Sequence, residues 1–221
     1  MDPIDEWTQS QQRVIALVED LSAEQAATVV PATPAWTVHD LLAHMIGLDA
    51  DVVAGDEPDD HNDAWTQRQV DARAEHDIAA LLDEWRGLTE PITAWMAANN
   101  GRPMGDVLIH EQDLRGALGV SGAQDTDGML AMRERMVGGF ADAVRELPPI
   151  AFVGDRWTWL SRGELAGAQT LLRASDFDLT RALMSRRSER QLRSWTERGD
   201  VGPYLDAFRA LGDLPTADLH E

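Results

Sequence analysis

Apolar side chains recur at helical spacing through most of the first 147 residues of this 221-residue chain. Side chains three and four residues apart share one face of a helix, so this spacing gives each helix one apolar stripe to bury. The pattern predicts helices over residues 5–22, 37–53, 65–99, 104–118 and 127–146. Gly87 and Pro91 are expected to kink or split the third of these helices. Together the helices predict a bundle of four or five helices over residues 1–147.

The helix that begins after Thr37 carries the clearest start signal in the chain. Thr37 can cap the helix, Asp40 stands at the capping-box position, and Trp36 and Leu41 have the spacing of a hydrophobic staple. His44 shares a stripe with the apolar residues of this helix and is therefore expected to point toward the core.

The character of the sequence changes after Pro148 and Pro149. The segment IAFVGDRWTWLS alternates and is rich in β-forming residues, ELAGAQTLLRAS fits a second strand, and DLTRALMSRRSERQLRSW is helical in pattern. We therefore expect a small α+β domain over residues 150–221, and the fold class is α+β, mainly α.

Composition narrows the classes of function. The net charge of −20 argues against partners such as nucleic acid or an anionic membrane, which require basic patches. The chain contains no cysteine, so a disulfide, a thiol nucleophile and a cysteine-bound metal are all excluded. Any thiol chemistry would need a thiol supplied by a cofactor. No apolar run approaches the ~20 residues that span a bilayer, and the acidic start lacks a signal-peptide pattern, so we expect a cytoplasmic protein.

Two helical motifs carry side chains that can bind a metal. Asp106 and His110 are four residues apart, so they are neighbours on a helix surface and can share one ion. His44 can supply a third ligand from a second helix. Three protein ligands with a fourth position left for water are typical of a catalytic zinc site. Asp113, one turn further, is placed to orient the His110 ring, as carboxylates often do for ligating histidines. The alternative is that His44 is an ordinary core histidine and that Asp106 and His110 form a surface pair.

The motif WTVHDLLAHMIG, followed some sixty residues later by a D/E-x-x-x-H helix that runs into HEQDLRGALG, resembles the mycothiol-dependent maleylpyruvate isomerase family. That family belongs to the DinB-like metal-binding superfamily of four-helix bundles. The segment RALMSRRSERQLRSWTERGD is similar to the small α+β domain that follows the bundle in the family, so the resemblance covers nearly the whole chain.

The resemblance implies a divalent metal, usually zinc, held by His44, Asp106 and His110. It also implies mycothiol, the low-molecular-weight thiol of actinobacteria, as the thiol cosubstrate. One position departs from the family pattern, which has glutamate where this chain has Asp106. Aspartate is one methylene shorter, so closer helices, monodentate ligation or a different preferred metal would follow.

A mechanism follows from the resemblance, with a metal-bound thiol or water as the reactive group and no protein nucleophile. A thiol bound to the metal loses its proton and attacks an electrophilic carbon. Addition to a conjugated double bond and later expulsion give cis–trans isomerisation, whereas retention of the thiol gives S-transfer. Arg186 and Arg187 are candidates to bind an anionic substrate, with a solvated helix face as the alternative reading.

Two further classes of function stay open. A non-catalytic module could bind a small ligand or a partner without metal, and a metal-dependent hydrolase could activate water with the same three ligands. The oligomeric state is also open, with a homodimer as one alternative.

Overall fold

The computed structural model describes residues 1–58 and 62–220. These residues divide into two compact units, Met1–Ala123 and Gln124–His220. The fold agrees with the predicted class, because the first unit is a helical bundle and the second contains a small sheet.

The N-terminal unit is built on four long helices. Helix α1 packs against α5 and α6, and α3 packs against α4, α5 and α6, so that α1, α3, α5 and α6 enclose the core. The helices of this unit are α1 (Pro3–Val18), α2 (Ala23–Ala26), α3 (Val38–Ala54), α4 (Asp63–Asp71), α5 (Ile78–Ala98) and α6 (Pro103–Leu118).

The ends of the two helices that carry the metal motifs follow local sequence signals. The Thr37 side chain accepts from the backbone N–H of Asp40, and the Asp40 carboxylate accepts from the backbone N–H of Thr37, which confirms the capping box. Helix α6 ends at Gly119, whose left-handed backbone (φ 66°) is the usual C-terminal stop. Both ends fix where His44 and His110 fall along their helices.

The predicted helix over 65–99 is split, but at a different place. The break lies at residues 72–77, where Asp77 caps α5 by accepting from the backbone N–H of Ala80. Helix α5 then continues through Gly87 and Pro91, so the predicted split does not occur at those residues. The cap at Asp77 and the buried stripe that contains Trp85 and Ile92 define the helix instead.

The C-terminal unit combines a four-stranded sheet with three helices. The strand order is β2-β1-β3-β4, with β1 and β3 parallel and the two outer pairs antiparallel. One face of the sheet carries an aromatic core that includes Phe140, Phe152 and Phe208. The elements are α7 (Asp127–Ala143), β1 (Ile150–Val153), β2 (Thr158–Leu160), β3 (Thr170–Arg173), α8 (Asp176–Leu183), α9 (Glu189–Ser194) and β4 (Thr196–Arg198). Two 3₁₀ segments span Leu165–Gly167 and Gly202–Phe208.

Two features of this unit differ from the sequence prediction. Helix α7, which we placed in the N-terminal bundle, packs against α8 and the Gly202–Phe208 segment, so the division falls at residue 123 rather than 147. The helix predicted after residue 177 is broken into α8 and α9 because Ser185 adopts a left-handed backbone (φ 59°) and Ser188 caps α9. Within the described residues, no helix has the length and apolar character needed to cross a membrane.

Candidate metal centre

Three side chains that can bind a metal converge inside the N-terminal unit. His44 comes from α3, and Asp106 and His110 come from α6; one donor atom from each lies within 4.8 Å of the others. The Nε2 atoms of His44 and His110 lie 3.8 and 3.5 Å from Asp106 Oδ1. His110 is 8% exposed, so it does not belong to a surface pair with Asp106. His44 is 4% exposed, which fits a core histidine as well as a metal ligand.

The spacing of these donor atoms suits a tetrahedral cation. Zinc lies about 2.0–2.2 Å from nitrogen and oxygen ligands, so two tetrahedral ligands are about 3.3 Å apart. The separations of 3.5 and 3.8 Å are close to that value. The two imidazole rings are nearly perpendicular, with 82° between their planes, and their centroids are 5.2 Å apart. The donors of the two histidines lie within 4.8 Å of each other.

Each imidazole ring is held through its other nitrogen. His110 Nδ1 is 2.9 Å from Asp113 Oδ2, and Asp113 is buried. His44 Nδ1 is 2.7 Å from Gln69 Oε1, and Trp36 lies against the His44 ring with centroids 4.9 Å apart. Both Nε2 atoms are therefore turned toward Asp106, which is the arrangement found around histidines that ligate metals.

The protonation of the three donors is set by burial and by their mutual charges. Burial lowers the pKa of His44 below 6.5, although the Asp106 charge acts in the opposite direction. Burial also acts to lower the pKa of His110, but Asp106 and Asp113 outweigh it and raise that pKa to about 9. Burial acts to raise the pKa of Asp106, but the two histidines hold it below its ordinary value. A cation would therefore compete with the proton on His110.

Residues 7–107 match the family model described as the mycothiol maleylpyruvate isomerase N-terminal domain. The N-terminal unit is similar to this domain over most of its length. The match includes His44 and Asp106 and ends three residues before His110. No curated protein and no solved structure matches the chain.

In the N-terminal unit, a second buried network joins α6 to α1. The carboxylate of Glu111, next to His110, is 0% exposed and accepts hydrogen bonds from Ser10, Arg13 and Arg115. The network fixes the rotation of α6 relative to α1. It therefore fixes the direction in which the adjacent His110 projects.

A third buried polar group lies on α3. Asp49 is 3% exposed, and its Oδ2 accepts a hydrogen bond of 2.8 Å from Trp85 Nε1. Burial raises the pKa of Asp49 to about 8, and the negative charge of Asp106 adds to the rise while the Trp85 bond opposes it. A pKa of about 8 would keep Asp49 mainly protonated at pH 7.

The structure places Arg186 and Arg187 in the C-terminal unit, between α8 and α9. They are 7% and 0% exposed, so the alternative of a solvated helix face is wrong. Arg187 donates to the Asp178 carboxylate and to the backbone carbonyl of Arg186. Arg186 donates to the backbone carbonyl of Met184.

Sequence analysis did not find Gln69, Asp49 or Glu111. Each is polar and lies on a helix whose neighbouring apolar residues are buried, and that is the signal that could have identified them. Their partners are distant in sequence, so their roles depend on how the helices pack.

Proposed function

We propose that this chain is a divalent-metal-dependent enzyme that uses mycothiol, as an S-transferase or as a maleylpyruvate-isomerase-like isomerase acting on a small electrophilic substrate. The observation that carries the proposal is the convergence of His44, Asp106 and His110, with both Nδ1 atoms already engaged elsewhere. The description of the matched family supports the thiol and the reaction class.

The three donors would hold the ion, most simply zinc, and leave a fourth position for an exogenous ligand. A divalent cation there would lower the pKa of a bound thiol or water. Gln69 and Asp113 hold the two imidazole rings. Both rings are buried, whereas the Asp106 side chain is partly exposed. The shorter side chain of Asp106 is sufficient because its Oδ1 lies within 4 Å of both Nε2 atoms.

The thiol must come from outside the protein, since the chain contains no cysteine. The histidines and carboxylates of the site can ligate a cation and accept protons, but they provide no sulfur. A soluble thiol cosubstrate supplies the missing nucleophile, and the family description names mycothiol.

Arg186 and Arg187 are our candidates for binding an anionic substrate through their guanidinium groups. Arg187 is fully buried against Asp178, so its first effect is on the C-terminal unit itself. An Arg186→Gln variant is therefore the better test. We expect it to raise KM for an anionic substrate more than it lowers kcat.

The first test is elemental analysis of the purified chain beside His110→Ala, with the exposed His220→Ala as the matched control. We expect about one divalent ion per chain in the wild type and in the control, and its loss in His110→Ala. A wild-type protein that stays metal-free after incubation with zinc would contradict the proposal and favour a non-catalytic binding module.

The second test measures thiol dependence. The metal-loaded protein is assayed with a cis-configured conjugated diketo acid and with an electrophile that forms thioethers, each with and without mycothiol. We expect turnover only when the thiol is present. Turnover of hydrolysable esters or amides without thiol would instead indicate a metal-dependent hydrolase.

A further inference from the structure

A short series of hydrogen-bonded polar side chains leads from His44 away from Asp106. Gln69 Oε1 lies 2.7 Å from His44 Nδ1, and Gln69 Nε2 lies 2.7 Å from Asp51 Oδ2. Gln69 is on α4 and is 3% exposed, whereas His44 and Asp51 are both on α3. The Gln69 amide, on α4, thus bonds to two residues of α3.

The Asp51 carboxylate decides the direction of both hydrogen bonds made by the Gln69 amide. An ionised carboxylate only accepts hydrogen bonds, so Asp51 requires the amide NH₂ of Gln69 to face it. The amide oxygen must then face His44 and can only accept. His44 Nδ1 must therefore carry the hydrogen, which leaves the lone pair of a neutral imidazole on Nε2.

The close approach of α4 to α3 depends on Gly47. A Cβ atom at residue 47 would lie 2.4 Å from Gln69 Cβ and 2.8 Å from Gln69 Cγ. The backbone carbonyl of Gln69 also accepts from Arg73 Nη1, and Arg73 is held by the Glu84 carboxylate. Gln69 is therefore fixed by its backbone, by the adjacent helix and by its amide.

We propose that Gln69, oriented by Asp51, is a positioning residue that locks His44 in the Nδ1–H tautomer and presents Nε2 to the ligand site. The role toward a metal rests on the proposed function above. The tautomer itself is inferred from the geometry of His44, Gln69 and Asp51 without a metal. The two histidines are thus held by different means, a neutral amide for His44 and a carboxylate for His110.

The test records ¹⁵N NMR spectra of the histidine side chains in chelator-treated protein at pH 8. Signals of His44 are assigned by comparison with a His44→Gln variant. The variants are Gln69→Leu, which removes the acceptor, and Asp51→Asn, which permits the amide to flip. The exposed Gln12→Leu on α1 makes the same chemical change away from the site.

We expect wild type and Gln12→Leu to show His44 with hydrogen on Nδ1 alone. Gln69→Leu should show hydrogen on Nε2 in a substantial fraction, and Asp51→Asn should fall between them. In a competition titration with a chromophoric chelator, Gln69→Leu should weaken the zinc Kd by about 10–100-fold.

A wild-type His44 with hydrogen on Nε2 would overturn the inference, and so would a Gln69→Leu protein with unchanged tautomer and unchanged zinc affinity. If Gln69→Leu does not fold, Asp51→Asn decides the matter by the same criteria. Failure of the wild type to bind zinc would count against the proposed function alone, because the tautomer is read without metal.

Discussion

The carboxyl group of Asp49 makes the stability of the protein depend on pH in a direction opposite to that of most aspartates. The group is 3% exposed, and burial raises its pKa to about 8 from 3.8. The folded chain therefore keeps a proton on Asp49 through a pH range in which the unfolded chain has lost it. Because the folded state binds more protons there, the free energy of unfolding must fall as the pH rises.

The size of the effect follows from the two pKa values. One proton held only by the folded state changes the free energy of unfolding by about 1.4 kcal/mol per pH unit. Both pH 5 and pH 7 lie between the two pKa values of 3.8 and about 8. Raising the pH from 5 to 7 should therefore lower the free energy of unfolding by about 3 kcal/mol through Asp49 alone. Above pH 8 the carboxylate is ionised in both states, and the loss stops growing.

Asp49→Asn removes this dependence because its amide stays neutral and its oxygen can still accept from Trp85 Nε1. We would measure urea unfolding by circular dichroism at pH 5, 6, 7 and 8, with a chelator present. The difference in free energy of unfolding between variant and wild type should grow by about 1.4 kcal/mol per pH unit up to pH 7. Any fixed cost of the amide is the same at every pH and does not change the slope.

The exposed Asp20→Asn serves as the control and should run parallel to wild type. The indole proton of Trp85 gives a local check, since its NMR shift should titrate with Asp49 in the wild type and stay constant in the variant. A free-energy difference that does not change between pH 5 and pH 8 would refute the reasoning, because it would mean that Asp49 is ionised in the folded protein throughout.

Three further predictions concern residues that hold the structure around the sites. Glu111→Gln removes a buried charge paired with two arginines and should lower the free energy of unfolding by about 3 kcal/mol, measured in urea against the exposed Gln12→Leu. Gly47→Ala should force Gln69 away from α3, costing about 1–3 kcal/mol and weakening zinc binding in the competition titration; unchanged affinity would contradict the contact. Arg187→Leu leaves Asp178 without its buried partner and should lower Tm by calorimetry, whereas an unchanged Tm would indicate that the Arg187–Asp178 pair does not stabilise the fold.

The features that sequence analysis predicted correctly are those with local causes. The capping box at Thr37 and the stop at Gly119 need only residues within one helical turn. The bundle follows from apolar stripes, which the burial of α1, α3, α5 and α6 reproduces. The closeness of Asp106 to His110 follows from helical spacing alone. The position of His44 was predicted from the apolar stripe that its side chain shares, which indicated that it points toward the core.

The features that were missed depend on which elements pack against each other, and the periodicity of apolar residues does not encode that. The apolar stripe of α7 shows that the helix buries one face, but the same stripe can pack on a bundle or on a sheet. The break between α8 and α9 rests on one serine, Ser185, in a conformation that favours glycine. Gln69 reads as an ordinary surface residue of a helix until α4 is placed against Gly47.

Asp106 illustrates how sequence prediction and structure combine at the site. From sequence, the shorter side chain raised three alternatives: closer helices, monodentate ligation or a different metal. The structure places a single oxygen, Oδ1, within 3.8 Å of both Nε2 atoms, so Asp106 would be able to ligate an ion through that one oxygen. Because Asp106 shares α6 with His110 and lies one turn before it, the shorter reach costs little on that side, and the packing of α3 on α6 brings His44 to the same oxygen. Aspartate at this position is therefore compatible with a three-ligand site.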